Sequence, residues 1–118
     1  MGDISIYYNR HEIACKCGCG LDSMDGETLT LADECRDFVG ESITPSSGAR
    51  CFGHNLAVGS NNHSQHPKCR AMDLPVKHPK VLYDYLCEAY PNSYGFGLYS
   101  WGVHIDTRSN GPARWGTL

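Results

Sequence analysis

The sequence predicts an α+β domain in which a small antiparallel sheet is flanked by two or three helices. Two segments, Thr28–Val39 and Pro79–Tyr90, carry apolar residues at helical spacing. Ala71–Leu74 and the stretch Gly95–Asp106 have the short, apolar-rich character of strands. The helical segments precede and separate the strand-like ones, the order expected of an α+β fold. At 118 residues the chain has room for one core, so residues 1–118 are read as a single domain.

Each element has its own signal. In the first helix Leu29, Leu31, Ala32, Cys35, Phe38 and Val39 fall mostly on one face, and Gly40 follows as a stop. Ile43-Thr44-Pro45-Ser46-Ser47-Gly48 reads as a short strand running into a turn, and 53–64 as a loop rich in Gly, Asn and Ser. Ala71–Leu74 is a strand ended by Pro75. In the second helix Val81, Leu82, Tyr85, Leu86 and Ala89 share a face, with Pro79 acceptable at its start. Gly95–Asp106 reads as two strands joined by a turn near Ser100-Trp101-Gly102. Cys15-Lys16-Cys17-Gly18-Cys19-Gly20 is too glycine-rich for a helix and reads as a tight loop.

Composition removes several function classes. With 41% hydrophobic and 19% charged residues the chain resembles an ordinary globular domain. A net charge of −3 leaves no basic footprint for nucleic acid. No run approaches the roughly 18 apolar residues of a membrane span, and Met1–Arg10 lacks the basic start and apolar run of a signal peptide. The expectation is a soluble protein with neither nucleic-acid nor membrane-inserted partners. Seven cysteines, an odd number, leave at least one thiol unpaired in a monomer. Without an export signal they are expected as reduced thiols or metal ligands, with Cys35 and Cys87 packed as small apolar residues inside the helices.

The chemistry converges on three residues. His66 and Asp73 lie seven positions apart, and His104 sits in the alternating segment Val103-His104-Ile105-Asp106. Imidazole nitrogens with a carboxylate suit zinc, and a catalytic zinc site needs only three protein ligands because one position is kept open. Such an ion acidifies water and polarises a carbonyl, which is the chemistry of amide hydrolysis.

The surrounding residues sharpen this. Ser64-Gln65-His66-Pro67-Lys68-Cys69-Arg70-Ala71-Met72-Asp73 resembles the Ser-x-His-x-x-Gly-x-Ala-x-Asp signature of the LAS zinc peptidases. That group joins D-alanyl-D-alanine carboxypeptidases and dipeptidases, L-alanyl-D-glutamate endolysins and the hedgehog signalling domain. Ser47-Gly48-Ala49-Arg50-Cys51 is similar to the family's Ser-Gly-x-Arg segment, followed by His54-Asn55 and Val58-Gly59. Gly95-Phe96-Gly97-Leu98-Tyr99 and Val103-His104-Ile105-Asp106-Thr107-Arg108 resemble the strand pair that brings the last ligand. Cys15-Lys16-Cys17-Gly18-Cys19 is similar to the start of the short carboxypeptidase-like branch.

The resemblance implies a zinc peptidase acting on the peptide part of bacterial cell walls, as carboxypeptidase or endopeptidase, with the sheet carrying the zinc site. It implies His66, Asp73 and His104 as ligands, and Arg50, Ser47 and Ser64 as substrate contacts; a guanidinium fork suits a peptide carboxylate or carbonyl. A compact catalytic domain without an export signal suits a phage lysis or tail-associated enzyme. Related enzymes often carry an acid three positions before the last histidine, where this chain has Trp101. Asp106, on the same strand face as His104, is then the candidate general base, or else a group that orients a ligand histidine. His54, His63 and Tyr99 are further candidates for binding or proton transfer. The family's glycine after His-x-x is Cys69 here, at a position that normally permits tight backbone geometry.

Two alternatives stand beside the peptidase. One is a catalytically inactive zinc-containing binding module of the same fold, which Trp101 favours. The other is a structural zinc protein built on Cys15, Cys17 and Cys19, although such sites use C-x₂₋₄-C pairs with a second knuckle.

Overall fold

The computed structural model describes residues 4–16, 19–49, 66–109 and 111–116. A short helix, α1 (Arg10–Ile13), is started by Asn9, whose amide donates to Glu12 Oε1 at 2.9 Å. The long helix α2 (Gly26–Val39) begins ahead of the Thr28 start that apolar spacing suggests. Its cap is the reason: Asp25 Oδ2 accepts from the Glu27 and Thr28 amides at 3.1 and 3.4 Å. It stops where expected, at Gly40, whose φ of 77° is a conformation suited to glycine. The second long helix, α3 (Pro79–Ala89), opens with proline in its first turn.

Four strands, β1 (Ala71–Pro75), β2 (Gly95–Tyr99), β3 (Gly102–Asp106) and β4 (Ala113–Gly116), form one sheet in the order β1-β3-β2-β4. β3 pairs antiparallel with both β1 and β2, as expected. β4 is an addition to the expected sheet and pairs parallel with β2, so the sheet is mixed. The short strand predicted within Ile43–Gly48 is not formed; Ser47 makes an isolated antiparallel bridge to Asp73. Pro45 has no amide hydrogen to give to a ladder.

Alternation along the strands divides the sheet into two chemical faces. Met72, Leu74, Phe96, Val103 and Ile105 enter the core with Leu29, Ala32 and Cys35 of α2 and Leu82 and Leu86 of α3. Each buried Leu, Ile, Val, Met or Phe among them contributes about 1.5–3 kcal/mol relative to exposure. Cys35 is fully buried as a packing residue, and burial raises its thiol pKa; Cys87 is half-buried against the same core. Asp73, Gly97, His104 and Asp106 belong to the opposite face. No helix among the described residues is long and apolar enough to cross a membrane.

Candidate metal centre

The β1–β3 ladder sets Asp73 directly opposite His104. Directly opposed residues in an antiparallel pair have β-carbons about 4.5–5.5 Å apart, close enough for their polar ends to meet. His104 Nδ1 lies 2.9 Å from Asp73 Oδ1. His66 arrives from a 3-10 turn (His66–Lys68) just before β1, and its Nε2 lies 3.4 Å from Asp73 Oδ2. The two imidazole rings approach edge to face, with centroids 5.2 Å apart.

One ligand atom from each of His66, Asp73 and His104 falls within 4.8 Å of the others, the grouping that converges among the described residues. Both histidines are buried and Asp73 is partly accessible. The donors fit zinc in more than type. His66 Nδ1 is 2.6 Å from the Gly48 carbonyl oxygen. A carbonyl only accepts, so Nδ1 carries the hydrogen and Nε2 presents its lone pair toward Asp73. His104 Nε2 is 2.8 Å from Asp106 Oδ2, which leaves Nδ1 facing the cluster. Each histidine thus turns one nitrogen inward and anchors the other on an oxygen, the arrangement that orients metal-ligating imidazoles.

The electrostatics match a cation site. Burial alone would raise the Asp73 pKa, but the two imidazoles beside it, His104 above all, hold it well below the usual carboxylate range. Burial alone would lower that of His104, but Asp106 and Asp73 on its two sides raise it. Asp106 is itself held low, against the cost of burial, by Arg108 and His104.

Asp106 is fully buried, and its oxygens are occupied. Oδ1 accepts from Arg108 Nε at 2.8 Å and the Arg108 amide at 3.3 Å. Oδ2 accepts from Arg108 Nη2 at 2.7 Å and faces His104 Nε2. Four bonds fill the roughly four acceptor positions of a carboxylate. In this arrangement it has no lone pair free to take a proton from water. Contact with His104 Nε2 is the geometry expected of a group that orients a ligand histidine, one of the two roles the sequence leaves open for Asp106.

The Ser47–Gly48 segment acts here through its backbone. Asp73 N donates to the Ser47 carbonyl at 2.8 Å, and Ser46 N donates to the Asp73 carbonyl at 3.0 Å. Gly48 sits so close to α1 that a β-carbon would stand 2.7 Å from the Ile13 carbonyl oxygen. The segment therefore carries the Gly48 carbonyl to His66 and braces the strand that bears Asp73. Arg50, Ser64, His54 and His63 lie outside the described residues, as does Cys17 of the alternative cysteine site.

Three contributors were given no role from sequence. Arg108 follows Asp106 at strand spacing, so alternation alone could have assigned it to the same face. Gly97, opposite His104, and Trp115 on β4 form the flank of the site, with the indole 5.0 Å from the His104 ring. No curated protein matches the chain. The family model for peptidase M15, whose members are zinc-dependent, matches residues 6–106 and so takes in all three candidate ligands. Match and donor set agree, and the chain belongs to the peptidase M15 family of zinc metallopeptidases.

Proposed function

We propose that this peptidase hydrolyses peptide bonds in bacterial peptidoglycan, with His66, Asp73 and His104 holding zinc. The observation that carries the reading is the inward pairing of His66 Nε2 and His104 Nδ1 on the two oxygens of Asp73. When bound, zinc supplies Lewis-acid polarisation of a carbonyl and lowers the pKa of water. The protein supplies the rest. Gly48 and Asp106 fix the two histidine rings, so little reorganisation is needed on metal binding. Arg108 keeps Asp106 ionised and correctly turned. In this proposal Arg50 grips a carboxylate or carbonyl of the peptide through its paired donors, and Ser47 and Ser64 contact the same substrate. Carboxypeptidase and endopeptidase action share this ligand set and differ in how the far end of the peptide is received. The site of action would be the cell wall, reached after release or from a virion.

The test is digestion of purified peptidoglycan by zinc-loaded and chelator-treated protein, with mass analysis of released peptides. Zinc-dependent release of free D-alanine supports carboxypeptidase action, and release of peptide fragments supports endopeptidase action. His66→Ala, Asp73→Ala and His104→Ala are each expected to lose most bound zinc, since each removes one of three protein ligands. Full zinc occupancy in all three variants would defeat the site assignment. The saturated carboxylate of Asp106 and the tryptophan at position 101 favour a second reading, a zinc-containing binding module without turnover. Peptidoglycan left uncut but bound by the zinc-loaded protein would select it.

A further inference from the structure

Tyr99 and Trp115 meet at the flank of the metal cluster. Trp115 Nε1 donates to the Tyr99 hydroxyl oxygen at 2.7 Å. Gly97 makes the room: a β-carbon there would stand 2.5 Å from Nε1. Gly97 is the cross-strand partner of His104, so the indole N–H overlies the position directly beside the third candidate ligand. Tyr99 is on the same face of β2, diagonal to His104, a spacing of about 7–8 Å that aromatic side chains span. Its ring is also stacked on Trp101, with centroids 5.2 Å apart and planes 5° from parallel. The phenol is therefore held at two points, by Trp101 against its face and by Trp115 at its oxygen.

The hydrogen-bond inventory gives this pair a direction. An indole N–H is a donor only, so the Tyr99 oxygen must be its acceptor, and the phenol hydrogen stays available. Among the described residues nothing accepts that hydrogen. Tyr99 as a residue is half-buried and so is not sealed from solvent.

We propose that the Tyr99 hydroxyl donates a hydrogen bond to the oxygen of the scissile carbonyl as negative charge builds on it, with Trp115 positioning the phenol. This rests on the peptidase reading above. The bond is stronger to a developing oxyanion than to a neutral carbonyl, so it favours the transition state over the bound substrate. Tyr99 gives up no proton. In the overall reaction the water oxygen bonds to the carbonyl carbon, the C–N bond breaks, and the leaving nitrogen takes a proton from that water.

The experiment compares zinc-loaded wild type, Tyr99→Phe and Trp115→Phe in two ways. One is turnover of cell-wall peptides, as kcat and KM. The other is affinity for phosphinate analogues of D-alanyl-D-alanine and of L-alanyl-D-glutamate, which present tetrahedral oxygens and need no turnover. Tyr99→Phe is expected to lower kcat by about 10²- to 10³-fold, with KM near wild type and zinc content unchanged, and to weaken the phosphinates similarly. Trp115→Phe keeps a ring beside His104 but lacks the N–H, and should fall between the two.

A third readout needs neither substrate nor analogue. The chain has two tryptophans, so Trp101→Phe leaves Trp115 as the sole reporter, and one equivalent of cobalt(II) should quench its emission. A Tyr99→Phe protein that matches an active or phosphinate-binding wild type overturns the assignment while sparing the peptidase reading. Emission unmoved by bound cobalt overturns the role of Trp115. A zinc-loaded wild type that neither cuts nor binds any of these overturns the cell-wall reading, and this proposal with it.

Discussion

A β-carbon at Gly95 would stand 2.4 Å from both carboxylate oxygens of Asp106. The two are cross-strand partners, and the missing side chain of one is the space that holds the other. Asp106 has nowhere to retreat, being fully buried between Arg108 and His104. Gly95→Ala is therefore expected to cost about 1–3 kcal/mol of stability, the usual scale for overpacking. It should also weaken zinc binding, because His104 moves with Asp106. Chemical denaturation and competition with a chromophoric chelator measure the two effects; no change in either would mean that Asp106 is free to shift.

Asp106→Asn separates orientation from proton transfer. An asparagine keeps the shape but turns an NH₂ toward groups that already donate, Arg108 and His104. If Asp106 orients His104, zinc affinity should fall by about 10- to 100-fold and turnover should recover at saturating zinc. That is the expected result. Turnover reduced by about 10²-fold or more at full zinc occupancy would instead make Asp106 the general base.

The candidate ligands were legible because imidazoles and a carboxylate are embedded in a motif, and because His104 lies on an alternating strand. The pairing of Asp73 with His104 was not legible, since register depends on partner strands far away in the chain. β4 carries no strand signal in the sequence, for a physical reason. Its position is held by Arg114, whose guanidinium donates to the carbonyls of Tyr90, Ser93 and Tyr94 at 2.5, 2.9 and 2.8 Å. Such anchoring leaves no apolar alternation to read, and with β4 went Trp115. Gly48 was read only as part of a substrate-binding motif, yet its described contribution is a carbonyl oxygen, which any residue type possesses. Cys69 stands where the family signature has glycine, and that departure has a structural consequence.

Cys69 has a φ of 57°, in the left-handed region that costs a residue with a β-carbon roughly 1–2 kcal/mol. The turn is held there from both sides: its amide donates to the His66 carbonyl at 3.0 Å, and its carbonyl accepts from the Asp25 amide at 2.8 Å. Cys69→Gly should relieve the strain while adding freedom to the unfolded chain worth about 0.4–1 kcal/mol. The expected net effect is stabilisation of about 0.5–1 kcal/mol, with zinc binding retained. Cys69→Ala, which keeps the β-carbon, serves as the control. Equal stability in both variants would show that backbone strain is not what distinguishes position 69.

Tyr8 is 1% exposed, and its hydroxyl finds no hydrogen-bond partner among the described residues. Burial accordingly raises its pKa. An unsatisfied buried hydroxyl carries a desolvation cost of about 1–3 kcal/mol, and the ring supplies the packing without it. Tyr8→Phe is expected to be neutral or stabilising by about 1 kcal/mol. A clear loss of stability in urea would reveal a partner for the hydroxyl that the described residues do not contain.

The two long helices are tied by acid–phenol hydrogen bonds that should fail in alkali. Tyr85 of α3 donates to Glu34 Oε2 of α2 at 2.7 Å, and Tyr90 donates to Glu34 Oε1 at 2.5 Å. Tyr94, just before β2, donates to Glu27 Oε2 at 2.6 Å. The bond to Glu34 is the main reason the Tyr85 pKa is pushed up to about 12, and the bond to Glu27 does the same for Tyr94, also to about 12. In the unfolded chain both should titrate near 10. The folded state thus holds these protons more tightly. The stability they contribute is complete below about pH 10 and is lost as pH rises toward about 12. Glu34→Gln replaces the carboxylate with a neutral acceptor, so Tyr85 should ionise closer to its ordinary value and the alkaline loss of stability should shrink. Phenolate absorbance of the folded protein gives the titration, and denaturation at a series of alkaline pH values gives the stability. Tyrosines that all titrate near 10 in the folded wild type would remove these bonds as a source of stability.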